Sequence, residues 1–537
     1  MDSVDLNPDA YAAAPLLNCL LREAADPAEP DPAEPGDPRP GAAATPAEHS
    51  GASGASGASG AADGIYRLRA SGRLLRVTGG RRPTRARLRT GTGWHPLSHT
   101  ELLELACEEL RLLTGVANGE LFAEMADSHA TVAALLAARA SAAAPADPYL
   151  RSEQALVLGH PYHPAPKTRG GGPAAAWLPY APEAHAAFPL AFLALREDQV
   201  VEEGGAPATG PLDALAGRLG APPAPDGYRL LPAHPWQLAL LGPHPAFEDG
   251  RLLRLGVGAR PVHPTASLRT VYAPDAGADL FLKFSLDVRI TNDVRRLWRH
   301  DLLALRRTDG AVAAAFAGLR ERTGSTAAWL GDRGYRTAAF AFEELAVMVR
   351  DGLHGHVLPG ATPLLAAALA EDFPGSPLAG AADPAAWWDA YLHQVIPPAL
   401  DLFAQGVVLE AHAQNTLIAV DPSGLPVQAL FRDAEGVKLL ADTARPAAWE
   451  RLVYCLVVNH LSEVAATLAD HHPALAPALW PAVRAAFLRH HARHPLPEIP
   501  ALLDAPALPG KTNLLLRWTR ADGADARYLP LPNPLRA

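Results

Sequence analysis

The sequence predicts an α+β protein built in three successive parts, and three observations carry that expectation. Apolar residues at helical spacing dominate both ends of the chain; short apolar runs broken by proline-rich turns fill residues 150–345; and most of the basic motifs fall in that middle stretch. The expected divisions are residues 1–148, helical with a disordered insertion over about 25–63; residues 149–342, an antiparallel-looking sheet; and residues 343–537, mostly helical. With 537 residues the chain accommodates three domains at the usual ~150 residues each.

In the first part, YAAAPLLNCLLREA (residues 11–24) repeats Leu16, Leu17, Leu20 and Leu21 at the spacing of an amphipathic helix. DPAEP repeats over 26–35 and GAS repeats over 51–59 follow, with too little apolar surface to offset the entropy of ordering. IYRLRA and RLLRVTGG predict a hairpin, and Ser98 with Glu101 predicts a capping box ahead of ELLELACEELRLLTG. In the middle, ALVLGH, FPLAFLAL, YRLLPAH, ASLRTVYA and LFLKFSLDVRIT read as strands. Beyond residue 340, FAFEELAVMVR, AAWWDAYLHQVIPPALDLFAQG and residues 446–495 read as helix. They are interrupted by VVLEAHAQNTLIAVDPSGLPVQALFRDAEG, which reads as strand, polar loop, strand, DPSG turn and strand to Asp433.

Composition narrows the function. A formal charge of −10 argues against a general nucleic-acid binder, so any anion site is a local basic cluster. Cys19, Cys107 and Cys455 are scattered, with no CxxC, which predicts a reducing cytoplasm. MDSVDLNPDA lacks a positive n-region and no run of about 18 apolar residues occurs, so neither secretion nor a membrane partner is expected. No GxSxG, HExxH or GxGxxG pattern supports serine-hydrolase, zincin or Rossmann chemistry. Lysine is scarce: of 47 basic residues only Lys167, Lys283, Lys438 and Lys511 are lysines, which makes each one informative.

Three stretches carry chemistry. In EAHAQN, Glu410, His412, Gln414 and Asn415 form a polar loop between apolar strands, and Asp433 ends the next hairpin. A carboxylate and a carboxamide placed this way suit magnesium beside nucleotide phosphates, as in a kinase catalytic loop; turn capping is the plainer alternative. In SLRT and KFSLDVRITNDVRRL, Ser267 and Arg269 share a strand face with Thr270 beside them, and Lys283 and Arg289 lie on the next strand. A helix starting at TNDVRRL would align Thr291 with Arg295. Such a set can grip two anions, a solvated basic strand being the alternative. In GHPYHPAPKTRGG, His160 and His163 invite a zinc reading that lacks a third ligand nearby, whereas Lys167, Thr168 and Arg169 beside a flexible glycine run favour an anion. HPWQ, from His234, reads as a structural turn.

Taken in order, GHPYHPAPKTR, HPWQ, SLRT, KFSLDVRITNDVRRL, EAHAQNTL and FRDAEG resemble the IucA/IucC family of nonribosomal-peptide-synthetase-independent siderophore synthetases, over about residues 154–437 with a fainter echo at PGKTNLLLRW. The resemblance implies a cupped-hand fold of thumb, fingers and palm, in that order along the chain. It implies ATP and magnesium as cofactors. The implied reaction adenylates citrate or a citryl or succinyl acid, and an amine, hydroxylamine or alcohol then displaces AMP. It places Ser267, Arg269, Thr270 and Lys283 on the phosphates, with His160, Lys167, Arg169 and Gln414 beside them; Glu410, Asn415 and Asp433 at the metal; and Thr291, Arg295 and His412 on the carboxylate. Arg295, His412 and Lys283 are the residues expected to carry catalysis, in a homodimer. A kinase-like phosphotransferase and a non-catalytic citrate or nucleotide binder remain alternatives.

Overall fold

Residues 7–29, 63–204, 206–274, 279–291, 293–521 and 528–536 are described by the computed structural model. Asn7 caps helix Pro8–Ala24 by accepting the Asp9 N–H, and Leu16, Leu17 and Leu20 are fully buried on its inner face. A five-stranded meander follows: Ala25–Pro27, Asp63–Leu68, Leu74–Thr78, Thr84–Thr90 and Gly93–Pro96, each antiparallel to the next. The expected hairpin supplies its second and third strands. The insertion expected from residue 25 begins later, because Ala25–Pro27 pairs with Tyr66–Leu68 and the Ala28 N–H donates to the Ile65 carbonyl. Backbone pairing orders these residues, with Ala25 alone reaching the thumb core; residues 30–62 of the expected insertion lie outside the described residues. The Ser98–Glu101 capping box opens helix His99–Thr114, and helix Gly119–Ser141 packs behind it. The thumb core is closed from far along the chain by Leu514 and Trp518, whose helix Asn513–Trp518 donates two N–H groups to the Glu23 carboxylate at 3.1 and 2.8 Å.

The middle of the chain builds an eight-stranded antiparallel sheet. Its order is Val200–Glu203, Asp332–Ala338, Val347–Asp351, Leu280–Phe284, Thr270–Tyr272, Leu252–Pro264, Phe188–Arg196 and Tyr228–Ala233. Thr270 faces Lys283 and Phe281 faces Arg350, so Thr270, Lys283 and Arg350 share one face of three neighbouring strands. Two expectations change here. FAFEELAVMVR is not helical: Val347–Asp351 is a sheet strand buried on both faces, which reads as a continuous apolar run and mimics a buried helix. Helix Arg299–Thr323 lies within the stretch read as strands; its buried face, Leu302, Leu305, Val312, Phe316 and Leu319, is spread among charged residues.

The last part packs helices against a four-stranded sheet, Ala328–Leu330, Pro426–Arg432, Thr416–Val420 and Thr362–Leu365. Its centre is the expected strand, turn and strand: Asp421 Oδ1 accepts the Ser423 and Leu425 N–H groups, and Gly424 takes φ 86° to close the turn. Helix Pro384–Ala404 covers it. A second helix, running over residues 445–471, is long and apolar enough to cross a membrane, yet its apolar side chains, among them Leu452, Val457, Leu461, Val464 and Leu468, are buried in this core.

Candidate active site

One cavity of about 570 Å³ opens where the three parts meet. His160, Lys167, Arg169, Ser267, Arg269, Thr270, Lys283, Thr291, Arg295, Glu410, His412, Gln414, Asn415 and Asp433 all line it. So do three of the four lysines, Lys511 included, while Lys438 is exposed elsewhere. Eleven Lys and Arg side chains and seven Asp and Glu side chains line the cavity, a formal +4 in a chain of −10. The protein therefore concentrates positive charge where a polyanion fits.

The GHPYHPAPKTR stretch forms the first wall through a repeated device. In four His-Pro turns, Nδ1 of His160, His163, His234 and His244 accepts the N–H two residues on, at 3.1, 3.1, 3.2 and 3.1 Å. An accepting Nδ1 leaves the hydrogen on Nε2. Burial drives His160 down to about 3, with His412, Arg22 and Lys511 adding repulsion. His160 therefore offers the cavity a neutral donor. Among the described residues no three His, Cys, Asp or Glu side chains are grouped to hold a metal by themselves, so the two-histidine zinc reading falls away. His234 caps helix Pro235–Leu241, the structural role expected of HPWQ. Lys167 and Arg169 are buried on one Glu183 oxygen at 2.6 and 2.8 Å, and Lys167 also donates to the Leu156 carbonyl. Burial alone would raise Glu183, but these two cations hold it at about 2. Thr168 turns away from the cavity to Asp127.

The second wall departs from its expected geometry. Ser267, Leu268 and Arg269 form a turn rather than a strand face, with Leu268 at φ 67° and the Ser267 hydroxyl accepting the Thr270 N–H at 3.2 Å. TNDVRRL does not start a helix. Arg289–Ile290 and Asp293–Val294 make a tight hairpin with Thr291 at φ 59°. Thr291 and Arg295 still meet, because the Arg295 guanidinium donates to the Thr291 hydroxyl at 2.6 Å and to the Ile290 carbonyl at 2.8 Å. The hairpin achieves by a turn what the i, i+4 spacing suggested for a helix. Seven non-glycine described residues have positive φ, and three of them, Leu268, Thr291 and Asp433, line this cavity. Such strain persists only where the surroundings fix it, and it gathers at functional sites.

The polar loop and the DAEG turn face that wall. Lys283 Nζ bridges Asp433 and Glu435, each at 2.7 Å; Arg269 reaches Glu435 at 3.0 Å, and Arg350 joins Asp433 to Asp332 at 3.1 and 2.7 Å. Burial would raise both the Asp433 and Glu435 carboxyls, yet Lys283 with Arg350 and Arg269 outweighs it and holds both below the ordinary range. Glu410 pairs with Arg451 and lies against Gly436, where a Cβ would come within 1.9 Å of its Oε2. Gln414 donates to the Ala266 carbonyl at 3.3 Å, tying this loop to the SLRT turn, and Arg432 braces both through Glu153 and the Gln414 carbonyl. Burial pushes His412 down, so it too is a neutral donor. Its loop is held from behind by His460, which donates Nδ1–H to the Ala411 carbonyl at 2.8 Å.

Sequence reasoning missed Glu435, Arg350, Arg451, Glu463 and the Arg81–Arg82 pair. Glu435 had a signal, a second acid two residues after Asp433; the others sit in stretches read as packing or surface. The missed acids matter for a cation. Asp433, Glu435, Glu410 and Asn415 are oxygen donors on the cavity lining, the residue type that suits magnesium sharing phosphate and water oxygens, although among the described residues no three acids are grouped to hold an ion by themselves.

Residues 148–371 match the family model described as IucA / IucC family, and residues 385–526 match one described as ferric iron reductase FhuF-like transporter. L-2,3-Diaminopropanoate–citrate ligase of Staphylococcus aureus is 30% identical over 443 residues, 72% of this chain and 75% of that protein. N(2)-citryl-N(6)-acetyl-N(6)-hydroxylysine synthase of Escherichia coli is 30% identical over 391 residues, 65% and 67% of the two chains. The fold matches ATP-bound aerobactin synthetase IucA from Klebsiella pneumoniae with a TM-score of 0.77 at 22% identity, covering 98% of this chain and 99% of that one. Fold, cavity and relatives together define a carboxylate–amine ligase. The chain belongs to the IucA/IucC family.

Proposed function

We propose that the chain is an ATP- and magnesium-dependent siderophore synthetase that joins citrate to an amine in the cytoplasm. The observation that carries this reading is the +4 cavity in which Lys283, Arg269 and Arg350 meet Asp433 and Glu435, acids of the kind magnesium takes. The relatives named citrate ligases support citrate as the acid. A carboxylate is repelled by ATP, so the site must neutralise both before they can meet.

A citrate carboxylate oxygen attacks the α-phosphorus; the bond to pyrophosphate breaks and pyrophosphate leaves with the electron pair. The amine nitrogen then attacks the acyl carbon, the bond to AMP breaks, and the nitrogen's proton passes to water. Lys283, Arg269, Ser267 and Thr270 bind the phosphates, with Lys167, Arg169, Gln414 and the His160 Nε2–H on the adjoining wall. Asp433, Glu435, Glu410 and Asn415 would hold magnesium, which supplies charge neutralisation across the phosphates. Arg295 is held by Thr291 and the Ile290 carbonyl and keeps its remaining donors for a carboxylate fork. His412, being neutral, donates to that carboxylate without competing for its charge.

The phosphotransferase alternative loses its support because the named relatives are ligases and synthases. Incubation with ATP, magnesium, citrate and a panel of amines is expected to release pyrophosphate and AMP together with an amide. Release of ADP with a phosphorylated product would overturn the reading.

A further inference from the structure

The helix over residues 445–471 meets the EAHAQN loop at two points. Arg451 pairs with the Glu410 carboxylate, and further along His460 donates Nδ1–H to the Ala411 carbonyl at 2.8 Å. Over Tyr454–Leu461 the helix is wound as a π-helix, a rare form that gathers at functional sites. Tyr454, Asn459 and Glu463 line the cavity, whereas His460 is fully buried behind that lining.

Both ring nitrogens of His460 are engaged. A carbonyl only accepts, so Nδ1 carries the hydrogen and Nε2 accepts the Tyr391 hydroxyl. Burial holds His460 at about 4, so the ring stays neutral near pH 7. Tyr391, on helix Pro384–Ala404, is itself fully buried and stacks with Trp387 and Trp388, ring centroids 5.2 and 5.6 Å away. A strut thus runs from one palm helix through another to the loop backbone. The core around it holds Leu392, Val395, Val457 and Leu461, and an apolar side chain in place of His460 would avoid desolvating polar atoms there. Fully satisfied, such a polar pair rigidifies what it touches. What it touches is Ala411, which is buried and off the cavity lining, while Glu410 and His412 on either side of it line the cavity. Fixing the Ala411 carbonyl fixes the directions in which both neighbours point.

We propose that His460 is a positioning residue for the ligase reaction: it holds the Ala411 carbonyl so that Glu410 faces the cation and His412 faces the carboxylate substrate, with Tyr391 fixing its tautomer. The assignment rests on the roles proposed for Glu410 and His412. Two substitutions separate this role from packing. In His460→Asn the amide N–H takes the place of Nδ1–H and the bond to Tyr391 is lost; in His460→Gln the longer side chain reaches Tyr391 and the loop bond is lost. His460→Gln is expected to raise the citrate KM and the magnesium half-saturation together, about tenfold each, while the ATP KM at saturating magnesium changes little. His460→Asn is expected to stay close to the wild type in both constants, whatever melting temperature it loses. Constants that follow melting temperature across the two variants, or that all shift alike, overturn the proposal. Hydrogen–deuterium exchange of the full chain without ligands tests the strut apart from turnover: amides of residues 410–415 are expected to exchange faster in His460→Gln and at the wild-type rate in His460→Asn. Unchanged exchange in His460→Gln overturns the proposal. Absence of citrate-dependent exchange of pyrophosphate into ATP by the wild type counts against the ligase reading instead, and the loop exchange still decides whether His460 holds the loop.

Discussion

The fingers wall and the palm-helix wall of one cavity handle buried charge in opposite ways. On the fingers side every cation has acids or carbonyls of the chain itself: Lys283 has Asp433 and Glu435, Arg269 has Glu435 and the Arg295 and Arg296 carbonyls, and Arg350 has Asp332 and Asp433. At the palm end, among the described residues, Glu463 makes no ion pair and Arg82 meets only carbonyls, with Arg81, Arg22 and Arg82 acting on Glu463 at longer range. A closed set of ion pairs can exchange partners when phosphates and a cation arrive, so charge stays compensated throughout. An open set has no such internal exchange to draw on.

Breaking the closed set should give the largest effect. Lys283→Ala leaves Asp433 and Glu435 facing one another without their shared cation, and kcat/KM for ATP is expected to fall about 10²- to 10³-fold; retention of a tenth of the activity would contradict the assignment. Arg295→Ala should raise the KM for citrate roughly ten- to a hundredfold while the KM for ATP changes little. Equal rises in both would break the separation of roles.

Gly436→Ala probes the metal side. The added methyl meets the carboxylate and Cγ of Glu410 and must push it off Arg451, so half-saturation by magnesium is expected to rise about tenfold with only a small loss of melting temperature. Loss of stability with unchanged magnesium dependence would place Glu410 in packing instead. A smaller effect concerns acid. Burial holds His234 at about 3 in the folded chain, below the ordinary value of about 6.5. Its contribution is complete above that ordinary value and is lost progressively as pH falls toward 3. Thermal scans from pH 7 to 5 should show a shallower decline for His234→Asn than for the wild type; parallel curves would contradict it. The smallest effect is expected from replacing residues 30–62 with Asn-Gly. Residues 28 and 65 are already hydrogen-bonded neighbours, so a tight turn closes the hairpin and the shorter loop adds about 2 kcal/mol at most. A lower melting temperature would refute this.

Much of the fingers wall was legible because its chemistry is local. Lysine scarcity flagged Lys167, Lys283 and Lys511, and the order of SLRT, KFSLDV, EAHAQN and FRDAEG placed the phosphate and metal candidates. The errors fell where one spacing serves two structures. Thr291 and Arg295 meet across a hairpin as readily as along a helix, and the apolar run through Val347–Val349 suits a strand buried on both faces as well as a helix. The palm end was hidden for a different reason. Asn459 and Glu463 lie in a helix that reads as packing, and only the π-helical turn, a tertiary outcome, brings Tyr454 and Asn459 to one face. Arg82 and Glu463 are 381 positions apart in the sequence, with no motif joining them.

Isotope transfer tests the central claim most directly. With citrate carrying ¹⁸O in its carboxylates, unlabelled ATP, magnesium and an amine, attack at the α-phosphorus places one ¹⁸O in the AMP released. Mass spectrometry should find that label in AMP and none in pyrophosphate. Unlabelled AMP, or label in inorganic phosphate formed alongside ADP, would contradict activation through an acyl adenylate.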